Sequence, residues 1–328
     1  MIITRTPFRI SFFGGGTDYP AYYREHGGAV LSTTINRYCY ITTRLLPPFF
    51  DHRYCIRYSK REDVSVIDDI QHPSVRECLR HMQIDEGVEL VHTSDIPAMS
   101  GVGSSSAFTV GLLNSLYALT GRMATKRQLA MEAIHVEQNL IGENVGSQDQ
   151  TAAAFGGLNR IEFSGDTGPL VTPVTIGNDS LKYLQEHLLF FFTGFSRFSS
   201  NVAAAQVAAT PKKLAELAAM KEMVSRGVEI LCGPMAAYNA FGALLHEAWM
   251  LKRSLTNKIS DPAIDAIYET GCKAGAIGGK LCGAGGGGFM LFFAAPERHL
   301  AIKQALAKLL LVPIRFDSLG SHVAFYSQ

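Results

Sequence analysis

The 328-residue chain has no Cys-x-x-Cys pair, no lysine-ended phosphate loop, no apolar run able to span a bilayer and no surplus of either charge. Each absence removes a class of function. Its cysteines, Cys39, Cys55, Cys78, Cys232, Cys272 and Cys282, are scattered, which argues against a zinc site or a disulfide framework and fits a reducing compartment. Lys plus Arg number 30 against 29 Asp plus Glu, so no field draws nucleic acid or a membrane surface. The opening MIITRTPFRISFF carries two arginines where a signal peptide needs its apolar region, and reads as a strand. The expected partner is a small molecule and the expected location is the cytoplasm.

What is present is ordinary globular composition, 47% apolar and 18% charged, at a length that suggests two domains. The first hundred residues are strand-rich. SSSAFTVGLLNSLYAL (104–119) is apolar nearly all round and predicts a buried helix. Thr125 with Gln128 predicts a capped helix running to about Leu140. The texture changes near residue 180, dividing the chain into 1–180 and 181–328. Two alanine-rich helical segments follow, at about 199–231 and 234–254, then a helix at 261–273. The end reads strand (276–282), glycine turn, strand (288–294), helix (296–310) and strands at 311–317 and 321–326. Strands and helices do not alternate regularly, so the fold class is α+β.

Three glycine loops carry the chemistry. In ISFFGGGTDYPAYY an apolar strand stops at Gly14, Gly15 and Gly16, followed by Thr17 and Asp18; something must approach that backbone where no Cβ is allowed. In PAMSGVGSSSAFTVGLL a glycine turn runs into a helix start, which makes an anion site from uncapped amides and the helix dipole. It is no Walker loop, because no lysine lies between Val91 and Arg122. A plain serine-capped turn explains it equally well. The third loop, GKLCGAGGGGFMLFF, matches G-x-G-x-x-G at Gly283, Gly285 and Gly288, but Phe289 to Phe293 continue as a strand. A dinucleotide fingerprint must open a helix, so that reading fails. Between the loops, Glu137 shares a helix face with Ala133 and Leu140 and is either a ligand or a stripe-edge residue reaching solvent. Asp149 is either a helix cap or a catalytic carboxylate.

Taken in order, these loops resemble the GHMP kinases over nearly the whole chain. The segment at 97–107 is similar to that family's P-x-x-x-G-L-G-S-S-A-A signature, with Val102 for Leu and Ser106 for the first Ala. KLCGAGGGG resembles its C-terminal glycine loop and GSQDQ its catalytic-aspartate segment. Gly15 and Gly16 replace the Glu and His of galactokinase, which makes galactose a poor fit. The G-G-G-T-D form, with TGFSRFSSNV and FGALLHEAWMLKRSL, resembles instead the branch that phosphorylates an anomeric hydroxyl, the heptose 7-phosphate kinases and fucokinases.

The resemblance implies a two-domain α+β fold: an N-terminal domain like domain 2 of ribosomal protein S5 and a ferredoxin-like C-terminal domain. It implies ATP and Mg2+, a sugar or sugar phosphate as acceptor, and no nucleic acid or membrane partner. Asp149 would face the acceptor hydroxyl, and Arg9 would keep it ionised and offset charge on the γ-phosphate. Ser100, Gly101, Val102, Gly103, Ser104, Ser105 and Ser106 would hold the ATP phosphates, with Ser105 and Glu137 on the metal. Gly14, Gly15, Gly16, Thr17, Asp18, Gly285 and Gly286 would line the sugar, and Arg197 would clamp a sugar phosphate. A non-catalytic sugar sensor is the competing class, opposed by Ser105, Glu137 and Asp149 occurring together.

Overall fold

β1 (Ile2–Phe13) is the spine of the first sheet. It begins with buried and half-buried residues in alternation and is then buried through Phe13, because the helices Ser104–Leu119, Gln148–Phe155 and Leu214–Cys232 all pack on it. Pro7, which cannot donate to a ladder, sits at a register shift against β2 (Gly28–Leu45). The computed structural model describes residues 1–194 and 199–327.

β3 (Tyr54–Arg57), β4 (Arg61–Val64), β5 (Val88–Ser94), β6 (Asn159–Phe163) and β7 (Leu170–Pro173) complete most of that sheet. The 18-residue β2 takes several partners in series: β6 along Gly28–Ser32 and β5 along Cys39–Leu45. A second, antiparallel sheet contains β8 (Leu188–Phe192), β9 (Gly278–Leu281), β10 (Phe289–Phe293) and β11 (Leu310–Leu311) in the order β11-β8-β10-β9. Phe190 and Phe289 stack in its core with ring centroids 4.2 Å apart.

Beyond the expected border at residue 180, the end of the chain does not stay with the second sheet. β12 (Phe316–Asp317) and β13 (His322–Tyr326) return to the first sheet, beside β2 and β1. The single strand read at 311–317 is in fact two short ones in different sheets, interrupted at Pro313, which can supply no ladder donor. The long segment read at 199–231 breaks at a tight turn, Thr210–Lys212, where Pro211 lacks an N–H. The expected helix at 296–310 is shorter, His299–Ala305. Thr125 does cap its helix, accepting from the Gln128 amide, but regular α geometry ends at His135 and a wide π turn, Val136–Leu140, follows.

Candidate active site

The second glycine loop sits where the two sheets meet. Gly101 and Gly103 have φ of +79° and +77°, left-handed values that cost glycine nothing. Gly103 is the N-cap of the buried helix Ser104–Leu119, and no side chain caps its first amides. Those donors, with the dipole behind them, face a cavity of about 250 Å3. Gly101, Gly103, Ser104, Ser105 and Ser106 line it. Ser100 and Val102 do not: both are fully buried, and the Val102 carbonyl accepts from the Arg9 amide at 3.0 Å. Neither of these two expected phosphate contacts lines the cavity.

Arg9 comes off β1 into the same cavity, almost wholly buried. Its Nε and Nη2 each donate to Asp149 at 2.8 Å, and its Nη1 donates to the Gly101 carbonyl at 2.7 Å. One guanidinium thus fixes both the carboxylate and the phosphate loop, a geometry that a lysine cannot reproduce. Asp149 lies in the first turn of the helix Gln148–Phe155, and its side chain remains 26% exposed toward the cavity. The capping alternative is not what the structure shows: that helix begins at Ser147 with no side-chain cap.

The first glycine loop divides by role. Gly14 is glycine for packing, since a Cβ there would strike the Ala29 carbonyl of β2. Thr17 is fully buried, its hydroxyl oxygen 2.8 and 2.9 Å from the Gly14 and Ala29 carbonyls, which share its one proton. Neither lines the cavity. Gly16 and Asp18 do line the cavity. Asp18 is 1% exposed, accepts from the Gly16 amide at 2.8 Å, and has its carboxyl raised above the usual range by burial. It does not cap the next helix, Pro20–His26, whose N-cap Tyr19 has no side-chain bond.

In the third loop Gly283 and Ala284 line the cavity. The expected sugar contacts Gly285 and Gly286 instead pack on the turn at Ile259: a Cβ on Gly285 would lie 2.8 Å from the Ile259 backbone, and the Gly286 amide donates to its carbonyl at 2.9 Å. Arg197 lies outside the described residues.

The π turn points Glu137 inward, where it is fully buried. Its Oε2 accepts from Ser106 Oγ at 2.8 Å and from Gln150 Nε2, while its Oε1 has no partner among the described residues. Burial pushes its carboxyl up to about 7. Glu137 does not itself line the cavity, but its orphaned carboxylate oxygen, next to the Ser106 hydroxyl that does, fits a hard cation. Ser106, rather than the exposed Ser105, is the serine in contact with Glu137.

Sequence reasoning missed several contributors, among them Gln148, Gln206, Glu143 and Lys252, which all line the cavity. Lys252 was legible, because a lysine interrupts the apolar stripe Phe241, Leu245, Ala248, Lys252, Leu255 of the helix Asn239–Leu255. Lys280 on β9 was missed too; it is buried and donates to the Ser11 and Phe12 carbonyls of β1 at 2.7 and 3.1 Å. A larger hollow of about 580 Å3 beside Tyr22, Lys221 and Glu222 holds none of the three loops. Away from the cavity, His52, Cys55 and Asp63 gather on the β3–β4 hairpin, a grouping the scattered cysteines did not suggest. Burial there pushes the Cys55 thiol up, and Asp63 is already held by Arg61 at 2.7 Å.

Helix start, arginine-bound carboxylate and paired glycine loops meet in one cleft, and two family models match in the same order. Residues 72–157 match the GHMP kinases N terminal domain, and residues 236–310 match GHMP kinases C terminal. The chain carries the N- and C-terminal domains of a GHMP kinase. It is therefore a phosphotransferase, and ATP is the phosphoryl donor that this family uses.

One relative of this GHMP kinase is a D-glycero-alpha-D-manno-heptose 7-phosphate kinase of Campylobacter jejuni, 28% identical, with 94% of this chain and 93% of that protein covered. An L-fucokinase/L-fucose-1-P guanylyltransferase of Bacteroides fragilis is 24% identical over 93% of this chain but only 36% of its own length. Among solved structures, a putative sugar kinase from Campylobacter jejuni aligns over 98% of this chain and 97% of its own, with a TM-score of 0.76 and 26% identity. A Lactococcus lactis galactokinase complexed with galactose shares the fold, with a TM-score of 0.77 at 18% identity, over 98% of this chain and 94% of its own. No helix among the described residues is long and apolar enough to cross a membrane.

Proposed function

We propose that this kinase phosphorylates the anomeric C1 hydroxyl of a sugar phosphate, converting D-glycero-D-manno-heptose 7-phosphate to the 1,7-bisphosphate. The observation that carries the chemistry is the Arg9–Asp149 pair, held at the mouth of an uncapped helix start. Support for the substrate comes from the heptose kinase relative, matched over nearly its full length.

Phosphoryl transfer asks mainly for position and charge neutralisation. The amides and hydroxyls at Gly103–Ser106 hold the donor phosphates. Asp149 accepts the C1 hydroxyl proton as that oxygen bonds to the γ-phosphorus and the bond to the β-phosphate oxygen breaks, leaving ADP. C1 is a favourable site, since the ring oxygen draws charge from its hydroxyl. Arg9 fixes the Asp149 carboxylate plane and offsets charge at the γ-phosphoryl group. Glu137, with Ser105 or Ser106, would hold Mg2+, which supplies charge neutralisation on the donor phosphates. Asp18 takes sugar hydroxyls, and Arg197 would meet the sugar's own phosphate.

The fucokinase relatives favour a second reading, an unphosphorylated sugar as acceptor. An ATP-consumption screen over free sugars and sugar 7-phosphates separates the two, with NMR assigning the position of the new phosphate. Turnover of free sugars alone would overturn the heptose phosphate reading; no turnover of any sugar would overturn both.

A further inference from the structure

Among the described residues lining the cavity there are two cations, Arg9 and Lys252. Arg9 is committed, with three nitrogens bound to Asp149 and Gly101. Lys252 is not. It is 4% exposed, yet its ammonium makes a single hydrogen bond among the described residues, to the carbonyl of Gly283. No carboxylate lies within ion-pair distance of it there.

An ammonium has three protons to donate, and a buried one with a single partner is rare in a finished interior. The remaining donors face a space bounded by Gly15, where a Cβ would lie 4.0 Å from Nζ, and by the carboxylates of Asp18 and Asp149. Burial and the charge of Arg9 oppose this ammonium and take it down to about 8, while Asp18 and Asp149 favour it. A group held there at such cost needs an acceptor that the protein itself does not supply.

We propose that Lys252 is a substrate-contacting residue, whose free N–H groups donate to oxygens of the polyhydroxylated acceptor beside the reacting hydroxyl. This rests on the sugar kinase reading. It adds a cationic donor facing the carboxylate acceptors Asp18 and Asp149, so that the acceptor is gripped by groups of both signs. A ligand with adjacent hydroxyls satisfies that arrangement, one oxygen accepting from Lys252 while its neighbour donates to a carboxylate. A deoxy acceptor lacking the contacted oxygen leaves the ammonium unpaired and is rejected.

The test compares wild type with Lys252→Met, which keeps length and removes every donor, and with Lys252→Gln, which keeps an N–H without the charge. Wild-type turnover of the sugar panel judges the function; the ratio of variant to wild type, on whatever alcohol the wild type phosphorylates, judges Lys252. We expect acceptor kcat/KM to fall by ~10–100-fold in Lys252→Met and less in Lys252→Gln, with ATP KM within about threefold. One deoxy analogue that is poor for wild type should be no worse than its parent for Lys252→Met. Acceptor kcat/KM within threefold of wild type, or equal loss toward ATP and acceptor, would overturn the assignment. Should Lys252→Met fail to fold, Lys252→Gln with the deoxy series gives the same decision.

Discussion

Gly101 and Gly283 lie back to back: a Cβ on Gly283 would come within 2.5 Å of the Gly101 Cα, and one on Gly101 within 2.6 Å of the Cys282 carbonyl oxygen. The second and third glycine loops therefore meet through backbone, with no side chain between them. This accounts for Gly283, as Gly285 is set against the Ile259 backbone and Gly288 against the Ser100 carbonyl. Gly101→Ala and Gly283→Ala should each cost about 1–3 kcal/mol for the left-handed backbone alone and weaken ATP binding. Since the two touch, the double variant should lose less than the sum of the singles. Chemical denaturation gives both values, and additive losses would deny the contact.

Asp149→Asn should lower kcat by ~10²–10⁴ and leave nucleotide affinity near wild type. The amide keeps an oxygen for Arg9 but cannot accept the proton. Single-turnover kinetics and titration with a non-hydrolysable nucleotide separate the two effects. A variant with full turnover removes Asp149 from the chemistry.

Asp18→Asn should raise acceptor KM by ~10–100-fold while the protein melts at the same or a higher temperature. The sign follows from burial, which raises this carboxyl in the folded state. Its contribution to stability is then fully present below the unfolded pKa and is lost as pH rises through the folded one. At pH 7.5 the wild type bears that penalty and the asparagine does not, so the variant's advantage should shrink toward pH 4. A lower melting temperature with unchanged acceptor constants would make Asp18 a brace for its loop.

Glu137→Gln should raise the Mg2+ concentration needed for half-maximal activity, and Ser106→Ala, by loosening the carboxylate, should do the same by ~10-fold or more. Ser105→Ala decides the remaining question. A magnesium requirement equal to wild type would give the serine contact to Ser106, and unchanged titrations in all three would remove Glu137 from the metal.

Lys280 carries a pH signature of its own. Burial, with Lys252 nearby, takes its ammonium down to about 7 in the folded protein. Below that pH both folded and unfolded states are protonated and the full burial penalty stands; it is relieved as pH rises from about 7 toward the ordinary lysine range. The stability of Lys280→Met relative to wild type should therefore be greatest near pH 7 and decline by pH 9.5. Melting curves across that window measure it, and a constant difference would show that the Ser11 and Phe12 carbonyls keep this lysine charged throughout.

The buried helix Ser104–Leu119 and the Thr125 cap were legible because each is a local pattern: an apolar segment after a glycine turn, and a hydroxyl three residues before a glutamine amide. The order of the three loops was legible as well, and with it the family. What sequence could not supply was direction. Gly14, Thr17, Val102, Gly285 and Gly286 belong to motifs that reach the site, yet each turns toward β2, the core or the Ile259 turn. Membership in a loop fixes neighbourhood and leaves the facing to tertiary packing. Glu137 was legible from its four-residue spacing after Ala133, but the π turn carries Leu140 off that face and into the open, which a 3.6-residue count does not foresee. The return of β12 and β13 to the first sheet is a long-range pairing, which no local pattern announces.

The ammonium of Lys280 rises from the second sheet and binds the carbonyls that end β1, just before Gly14. The halves of this enzyme are thus not interchangeable modules. A chimera that joined residues 1–180 to the C-terminal half of a fucokinase relative would inherit whatever that partner offers at the position of Lys280, and with it a different seat for the first glycine loop. Exchange of acceptor preference between such enzymes should require moving the glycine loop and its lysine together, as one unit split across the chain.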